Sequence, residues 1–148
     1  LLNRYDRLTA ALTATAKVPE TVLEGTVQAV TGELAEVETS AGTLSGLHNG
    51  LDLDERVQVR IGADAITILD PTRELEPDST SARNRLAGSV TDIDHGETVF
   101  EIDINVSETT FRTLITAESA SRLGLKQGSR VAITWKATAT RLVTETRE

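Results

Sequence analysis

Cysteine and methionine are both missing from the 148 residues of this chain. Without cysteine there is neither a disulfide framework nor a thiolate metal site. Without methionine, we expect the chain to be part of a longer protein. Long apolar runs are missing as well, because no stretch approaches the roughly 18 residues of a membrane span and no signal segment opens the chain. The sequence therefore predicts a soluble protein with no membrane partner.

Positive charge is scarce. Lysine and arginine number 15 against 23 aspartates and glutamates, and the net charge is -8. Because nucleic-acid binding needs clustered cations that neutralise phosphates, we do not expect this part of the protein to bind DNA itself. The acidic excess suits either a halophilic protein kept soluble in a salty cytoplasm, where screening removes self-repulsion, or an ordinary acidic domain.

The start of the chain has a helical pattern. Leu1, Tyr5, Leu8 and Leu12 follow one another at helical spacing on one face, and Pro19 ends the pattern. So narrow an apolar stripe predicts one of two things. It is either the end of a linker or dimerisation helix that enters from upstream, or a terminal helix packed on its own domain.

From Val22 onward apolar and polar residues alternate, and turn residues recur about every 8 to 12 positions. This pattern is typical of short strands in a small barrel or sandwich, so we expect an all-β fold. The predicted strands of the first half are 23–30, 34–39, a short strand ending at Leu47, 56–61 and 65–69.

The same order of elements recurs in the second half of the chain. Residues 86–93 repeat the pattern of residues 23–30, with glycine third and valine fifth in both. The copies are joined by residues 70–78, a polar connector with two prolines. An internal repeat predicts two small barrels in tandem. The predicted organisation is a helix at 1–18, a first module at 19–71 and a second module at 72–148.

The two copies differ in residues suited to binding an anion. Only the second has the run Thr-Ser-Ala-Arg-Asn (80–84) before its opening strand, and its Lys136 aligns with Gly62 of the first copy. Only the second has a short helix, which Thr116 caps and Gly124 terminates. Two cations, several hydroxyls and the free amides of a helix start can together hold a tetrahedral dianion.

Each of these residues also has an ordinary structural interpretation. Thr116 is a common helix cap, Arg83 suits an exposed loop, and Lys136 suits the rim of a barrel. Ser81 and Asn84 are common turn residues. Their joint occurrence in one copy and absence from the other favour the binding interpretation.

The run Thr-Ser-Ala-Arg-Asn, the following Gly-x-Val strand, the Ile-Thr-x-x-Ser element before Leu-Gly-Leu-x-x-Gly, and the later lysine resemble the Mop, or TOBE, molybdate-binding module. The resemblance covers residues 79–143, and residues 22–70 resemble a degenerate second copy. It implies small OB-like barrels that pair into dimers, with molybdate or tungstate at the interface between modules and no other cofactor. Carried over residue by residue, it implies oxyanion contacts at Ser81, Ala82, Arg83, Asn84, Thr116, Ser119 and Lys136.

The leading residues resemble the helix that follows the DNA-binding domain in ModE-type molybdate-responsive transcription regulators. This resemblance implies the cytoplasmic effector-binding region of a homodimeric regulator, which contacts DNA only through a domain upstream of this chain. Arg83 and Lys136 would neutralise the dianion, and a dimer would bind two oxyanions because the first copy lacks both elements. No nucleophile and base pair is recognisable, and His48 and His95 are isolated, so we expect neither an enzyme nor a metal site.

Two other functions fit the same modules. One is the C-terminal regulatory region of a molybdate ABC transporter ATPase, whose phosphate-binding loop would lie upstream. The other is a free-standing molybdate-binding storage protein. The leading helix argues mildly against storage, which does not need such a helix.

Overall fold

The computed structural model describes residues 19–73 and 76–145, which contain ten strands, one α-helix and three 3₁₀ turns. The strands are β1 (Glu20–Thr31), β2 (Leu34–Thr39), β3 (Gly42–Leu47), β4 (Arg56–Gly62), β5 (Thr67–Leu69), β6 (Asn84–Asp94), β7 (Val99–Val106), β8 (Thr109–Thr116), β9 (Arg130–Trp135) and β10 (Thr140–Thr144). The helix is α1 (Ala117–Leu123), and the 3₁₀ turns are Ala63–Ala65, Pro77–Ser79 and Ala137–Ala139.

The strands form one closed barrel and one further sheet. The barrel has the order β1-β2-β3-β10-β4, and the five-stranded sheet has the order β5-β9-β6-β7-β8. The prediction of an all-β fold built from two small OB-like units is confirmed. Strands β7, β8 and β10 were not predicted; β7 and β8 lie in the second sheet, and β10 closes the barrel. The predicted helix at the start of the chain lies outside the described residues.

Each repeat gives its last strand to the sheet of the other repeat. β5 pairs antiparallel with β9, from Thr67 opposite Thr134 to Leu69 opposite Ala132. β10 pairs antiparallel with β4 along its whole length and meets β3 at one residue pair. A division of the chain near residues 71 and 72 stays a prediction, and strands from both sides of it share each sheet.

Alternating burial along the strands builds the core. Every second residue of β2 is buried, and in β4 the side chains of Val57, Val59 and Ile61 have no exposed surface. In the second sheet Phe111 packs against Trp135, with ring centroids 5.7 Å apart. The buried apolar residues of both sheets belong to one connected cluster, so the two repeats share a core.

The glycine that recurs third in both predicted opening strands is explained by close approach of the neighbouring strand. A Cβ atom at Gly25 would lie 2.3 Å from Cγ1 of Val37, and one at Gly88 would lie 2.5 Å from the carbonyl oxygen of Asn105. No side chain fits at either position. The repeat inferred from sequence therefore reflects the same packing in both sheets.

A second correspondence is visible only in the backbone. Asp54 and Gly128 both have positive φ angles, 67° and 89°. The Asp54 amide donates a hydrogen bond to the carbonyl oxygen of Val27, and the Gly128 amide donates one to the carbonyl oxygen of Val90, each at 2.8 Å. Asp54 thus takes the left-handed conformation that glycine adopts in the second copy, which aspartate tolerates better than most residues.

Among residues 19–73 and 76–145, no helix is both long enough and apolar enough to cross a lipid bilayer.

Candidate functional site

The loop before β6 is organised around Thr80. The Thr80 hydroxyl accepts a hydrogen bond from the Ala82 amide at 3.1 Å, and the Arg83 guanidinium donates to the Thr80 carbonyl. Ser81 lies between them with its side chain exposed. The loop therefore uses the Ala82 amide for its own turn and leaves the Ser81 hydroxyl at the surface.

Asn84 anchors this loop to the first barrel. Its side chain is buried, its Oδ1 accepts from the Ser45 amide at 2.9 Å, and its Nδ2 donates to the Ser45 carbonyl at 3.0 Å. Nδ2 also lies 3.3 Å from the hydroxyl of Thr140. The Asn84 side chain is thus engaged in holding β6 against β3 and β10.

The backbone of Lys136 is hydrogen-bonded to the buried hydroxyl of Thr140. Thr140 has no exposed surface, accepts from the Trp135 indole at 2.8 Å and donates to the carbonyl oxygen of Lys136 at 3.0 Å. Because Asn84 bonds to the same hydroxyl, Thr140 joins the backbone of Lys136 to the start of β6. The Lys136 side chain itself is exposed.

Arg83 and Lys136 leave the second sheet at the same end. The ladder between β6 and β9 ends with Asn84 opposite Trp135, and the two cations are the next residues outward on their respective chains. Both side chains are exposed, and both lie outside the strand interiors, as the sequence predicted. The register therefore places two positive charges at one edge of the molecule.

A cavity of about 280 Å³ adjoins this edge. Arg83 and Ala137, the residue after Lys136, form one side of it. The other side comes from the first barrel and consists of Ala29, Thr31, Leu34, Ala35, Glu36 and Ser45.

Thr116 caps α1, as the sequence predicted, and Ser119 is its hydrogen-bond partner. The Thr116 hydroxyl accepts from the Ser119 amide at 3.0 Å and lies 3.0 Å from the Ser119 hydroxyl. Gly124 ends the helix in the left-handed conformation, with φ 65°. One hydroxyl thus caps this short helix in the ordinary way, and the Ser119 hydroxyl lies beside it.

The structure brings together some of the predicted site residues and separates the others. Arg83 and Lys136 lie just beyond the end of the β6–β9 ladder, where Asn84 lies opposite Trp135, and Ser81 and Ala82 precede Arg83 in the same loop. Thr116 and Ser119 line a different cavity of about 420 Å³, together with Asp64, Ile66, Thr67, Ile68, Leu114, Ile115, Arg122 and Leu123. The two cavities have no lining residue in common. Within one chain, the cations and the helix cap form two separate groups.

The alignment of Lys136 with Gly62 holds in three dimensions. Gly62 is the last residue of β4 and Lys136 directly follows the last residue of β9, and each has an extended backbone and leads directly into a 3₁₀ turn. Their φ and ψ angles are −79° and 145° for Lys136, and −70° and 142° for Gly62. The first repeat therefore has no side chain where the second has a cation.

Thr21 is the counterpart of Asn84. Its hydroxyl accepts from the Arg112 amide at 2.9 Å, just as the Asn84 side chain accepts from the Ser45 amide. In both cases a buried polar residue at the start of a repeat binds the backbone of a strand in the other repeat. At these two equivalent positions, each repeat is hydrogen-bonded to the other in the same way.

Glu20 follows as the counterpart of Arg83. Glu20 precedes Thr21 as Arg83 precedes Asn84, and it lies opposite Gly62 at the end of the β1–β4 ladder. The first repeat thus carries a negative charge at the position where the second carries a positive one. This reversal was not predicted, although the alignment of residues 23–30 with 86–93 pairs Glu20 with Arg83 when it is extended three residues backward without a gap.

Thr140 was also missed. A sequence signal existed, since Thr140 follows the 3₁₀ turn Ala137–Ala139 at the position where the first repeat has the buried Ile66 after Ala63–Ala65. A polar residue in a buried place of a repeat indicates a specific hydrogen-bonding role.

No group of three or more histidine, aspartate or glutamate side chains suited to a metal ion occurs in the described part of the chain.

Comparison with known proteins agrees with the repeat analysis. Residues 80–142 match the TOBE domain family. Among solved structures, the chain is similar to the cytoplasmic molybdate-binding protein ModG with molybdate bound, at 23% identity over 84% of this chain and 95% of that chain, with a TM-score of 0.73. It is also similar to a molybdate-binding protein from Sporomusa ovata, at 29% identity over 47% of this chain and 97% of that chain, with a TM-score of 0.40. No curated protein matches. The likeness to ModG establishes the fold, and the TOBE match spans both cations and the helix cap.

Proposed function

We propose that this chain binds a tetrahedral oxyanion, molybdate or tungstate, through Arg83 and Lys136. The observation that carries the proposal is the β6–β9 register, which places both cations at one edge of the second sheet. The corresponding positions of the first repeat hold Glu20 and Gly62. The TOBE match across 80–142 and the described ligand of ModG support the choice of oxyanion.

The surrounding residues have different parts in this proposal. Arg83 and Lys136 neutralise the dianion with charge-assisted hydrogen bonds, and the exposed Ser81 hydroxyl donates to one of its oxygens. Asn84 and Thr140 act as positioning residues, because their side chains already bind one another and the backbone. The anion is held and released unchanged, so no bond is made or broken.

A second copy of the chain completes the oxyanion shell in this proposal. Thr116 and Ser119 line a cavity apart from the cations, so one chain presents one group of cations and one helix cap on different surfaces. In a homodimer, the cap of one copy faces the cations of the other. Such a dimer binds two oxyanions, because the first repeat lacks both cations.

The cellular role has two candidates. A free-standing cytoplasmic molybdate-binding protein is favoured by ModG, a cytoplasmic protein matched over 95% of its length. The effector-binding region of a transcription regulator is favoured by the apolar stripe from Leu1 to Leu12. Because the proposed site lies between two copies in either role, molybdate is expected to favour the dimer in both. The sequence upstream of Leu1 in the complete protein distinguishes the two, since a regulator requires a DNA-binding domain there and a free-standing storage protein does not.

Arg83→Ala and Lys136→Ala test the site. Loss of one charge-assisted contact costs about 1.5–3 kcal/mol, so each variant is expected to bind molybdate about tenfold to hundredfold more weakly in calorimetric titration. Arg85→Ala is the matched control, because Arg85 is an exposed arginine two residues along the chain from Arg83. Unchanged affinity in both site variants, with circular dichroism like that of the native chain, would refute the assignment.

Competition with sulfate in high salt tests the choice of ligand. A shell of donors fitted to the longer metal–oxygen bonds of molybdate leaves several donors unpaired around sulfate, at about 1–3 kcal/mol each. We expect sulfate to bind at least about a hundredfold more weakly than molybdate. Displacement of molybdate by sulfate at comparable concentration would mean that the pocket is a general anion site.

A further inference from the structure

A second pair of converging cations lies in the closed barrel, around Glu20. Oε1 of Glu20 accepts a hydrogen bond from Nη1 of Arg60 at 2.9 Å, and Oε2 lies 3.6 Å from Nη2 of Arg141. Arg60 is on β4 and Arg141 is on β10, at directly opposed positions of that ladder. One carboxylate therefore bridges two guanidinium groups from two adjacent strands.

This arrangement sits in a cavity. The cavity measures about 340 Å³ and is lined by Glu20, Arg60, Gly62, Asp64, Thr138, Ala139 and Arg141. The Glu20 side chain is only 28% exposed and the Arg60 side chain 36%. By contrast, the Glu24–Arg56 pair on the same two strands is about three-fifths exposed on both sides. Glu20 and Arg60 are thus sheltered within a concave site, while the side chain of Arg141 at its rim is 70% exposed.

Arg60 is also fixed from its far side. Its second terminal nitrogen, Nη2, donates to Oε1 of Gln58 at 2.9 Å, while Nη1 points to Glu20. A guanidinium held in this way is oriented before any ligand arrives, which is the condition for tight binding of a planar or tetrahedral anion. The closed barrel therefore has a prepared cationic site that already contains an anionic group.

We propose that Glu20 is a built-in anion that fills a second oxyanion site, formed by Arg60 and Arg141, and keeps it closed to dianions from solution. The inference rests on the proposed function for the choice of dianion, and it concerns a different place in the fold. Glu20 stands at the position equivalent to Arg83, so the same location is a ligand contact in one repeat and a substitute for the ligand in the other. Asp64, in the same cavity, adds to the exclusion of anions.

Glu20→Ala tests this proposal. Removing the carboxylate leaves two arginines against one aspartate in the cavity, so the variant is expected to bind one more molybdate or sulfate per chain than the native protein in calorimetric titration. Glu24→Ala is the matched control, because it releases the exposed Arg56 outside the cavity and is expected to add no site. Adding Arg60→Ala to Glu20→Ala should weaken the new site by about tenfold to hundredfold.

Two further variants make every outcome decisive. Glu20→Gln removes the charge while keeping the size and one hydrogen-bond acceptor, so it replaces Glu20→Ala if that variant does not fold. A folded Glu20 variant that binds no more dianion than the native chain overturns the proposal. The gain is also measured in the Arg83→Ala background, where it should persist. A native chain that binds no molybdate, together with a Glu20→Ala variant that does, would refute the proposed function and support the second site.

Discussion

At the scale of single residues, two buried polar side chains place the exposed cations. Thr140 bonds to the backbone of Lys136, and Asn84, which directly follows Arg83, bonds to Thr140 and to both backbone groups of Ser45. These bonds join residues that are 39 and 56 positions apart in the chain. The position of the site is therefore set by hydrogen bonds within the protein, away from the proposed ligand.

Asn84→Ala is expected to destabilise the protein by about 1–3 kcal/mol, because it leaves the amide and carbonyl of Ser45 without their partners. Urea denaturation measures the loss, and molybdate affinity should fall with it because the Arg83 loop loses its anchor. Thr21→Val is the control, since Thr21 makes a single bond of this kind in the first repeat, to the Arg112 amide. A loss for Asn84→Ala no larger than that for Thr21→Val would show that the Ser45 contacts contribute little.

At the scale of elements, acidic side chains face one another across the second sheet. Asp92 on β6 lies opposite Asp103 on β7, which lies opposite Arg112 on β8. Burial raises the pKa of Asp103 above its ordinary value, and repulsion by Asp92 and Asp94 raises it further, while Arg112 opposes the shift. A carboxyl whose pKa is raised on folding binds protons more tightly in the folded state, so its charged form destabilises the fold.

Asp103→Asn should therefore stabilise the protein at pH 7. The destabilisation by charged Asp103 is fully present above its raised pKa and disappears as the pH falls through that pKa towards the ordinary value near 4. Thermal unfolding of the native and variant proteins should converge at about pH 3.

Asp70→Asn is the control for Asp103→Asn, because the pKa of Asp70 is shifted in the opposite direction. Hydrogen bonds from the amide and hydroxyl of Thr72 lower the pKa of Asp70, so the charged form is favoured in the fold. The Asp70 variant should be no more stable than the native protein at pH 7. A stability difference for Asp103→Asn that does not change between pH 7 and pH 3 would exclude an electrostatic origin.

At the scale of the whole molecule, strand exchange makes the two repeats depend on each other. The barrel is incomplete without β10 from the end of the chain, and the second sheet takes β5 from the first repeat. The apolar core is continuous across both sheets. Neither repeat can therefore unfold without exposing buried surface of the other.

We expect a single cooperative unfolding transition. The one tryptophan, Trp135, is buried in the second sheet, so its fluorescence reports on that sheet, whereas far-UV circular dichroism reports on both. In urea the two signals should change together, with one midpoint. Circular dichroism that changes at lower urea than the fluorescence would mean that the barrel unfolds separately.

Much of the fold follows from local sequence patterns. Alternation of period two places apolar side chains on one face of each strand and identified β1 to β5, and the internal repeat identified β6. The glycine at the third place of each repeat helped to identify the internal duplication. The structure gives the reason for its recurrence, since Gly25 and Gly88 lie too close to a neighbouring strand to carry a side chain. The cap at Thr116 and the stop at Gly124 were also predictable, since helix ends depend on the residues beside them.

The pairing of strands was decided only in three dimensions. Each strand has the same alternation whichever partner it meets, so nothing local indicates that β5 joins β9 or that β10 closes the barrel. The same holds for the site. The sequence by itself identified Arg83 and Lys136 as unusual residues of one repeat, but strand register brought them to one edge and left Thr116 on another surface. The alignment of the repeats already pairs Glu20 with Arg83, but only the tertiary structure brings Glu20 between Arg60 and Arg141, because these two arginines lie on strands that are distant in the chain.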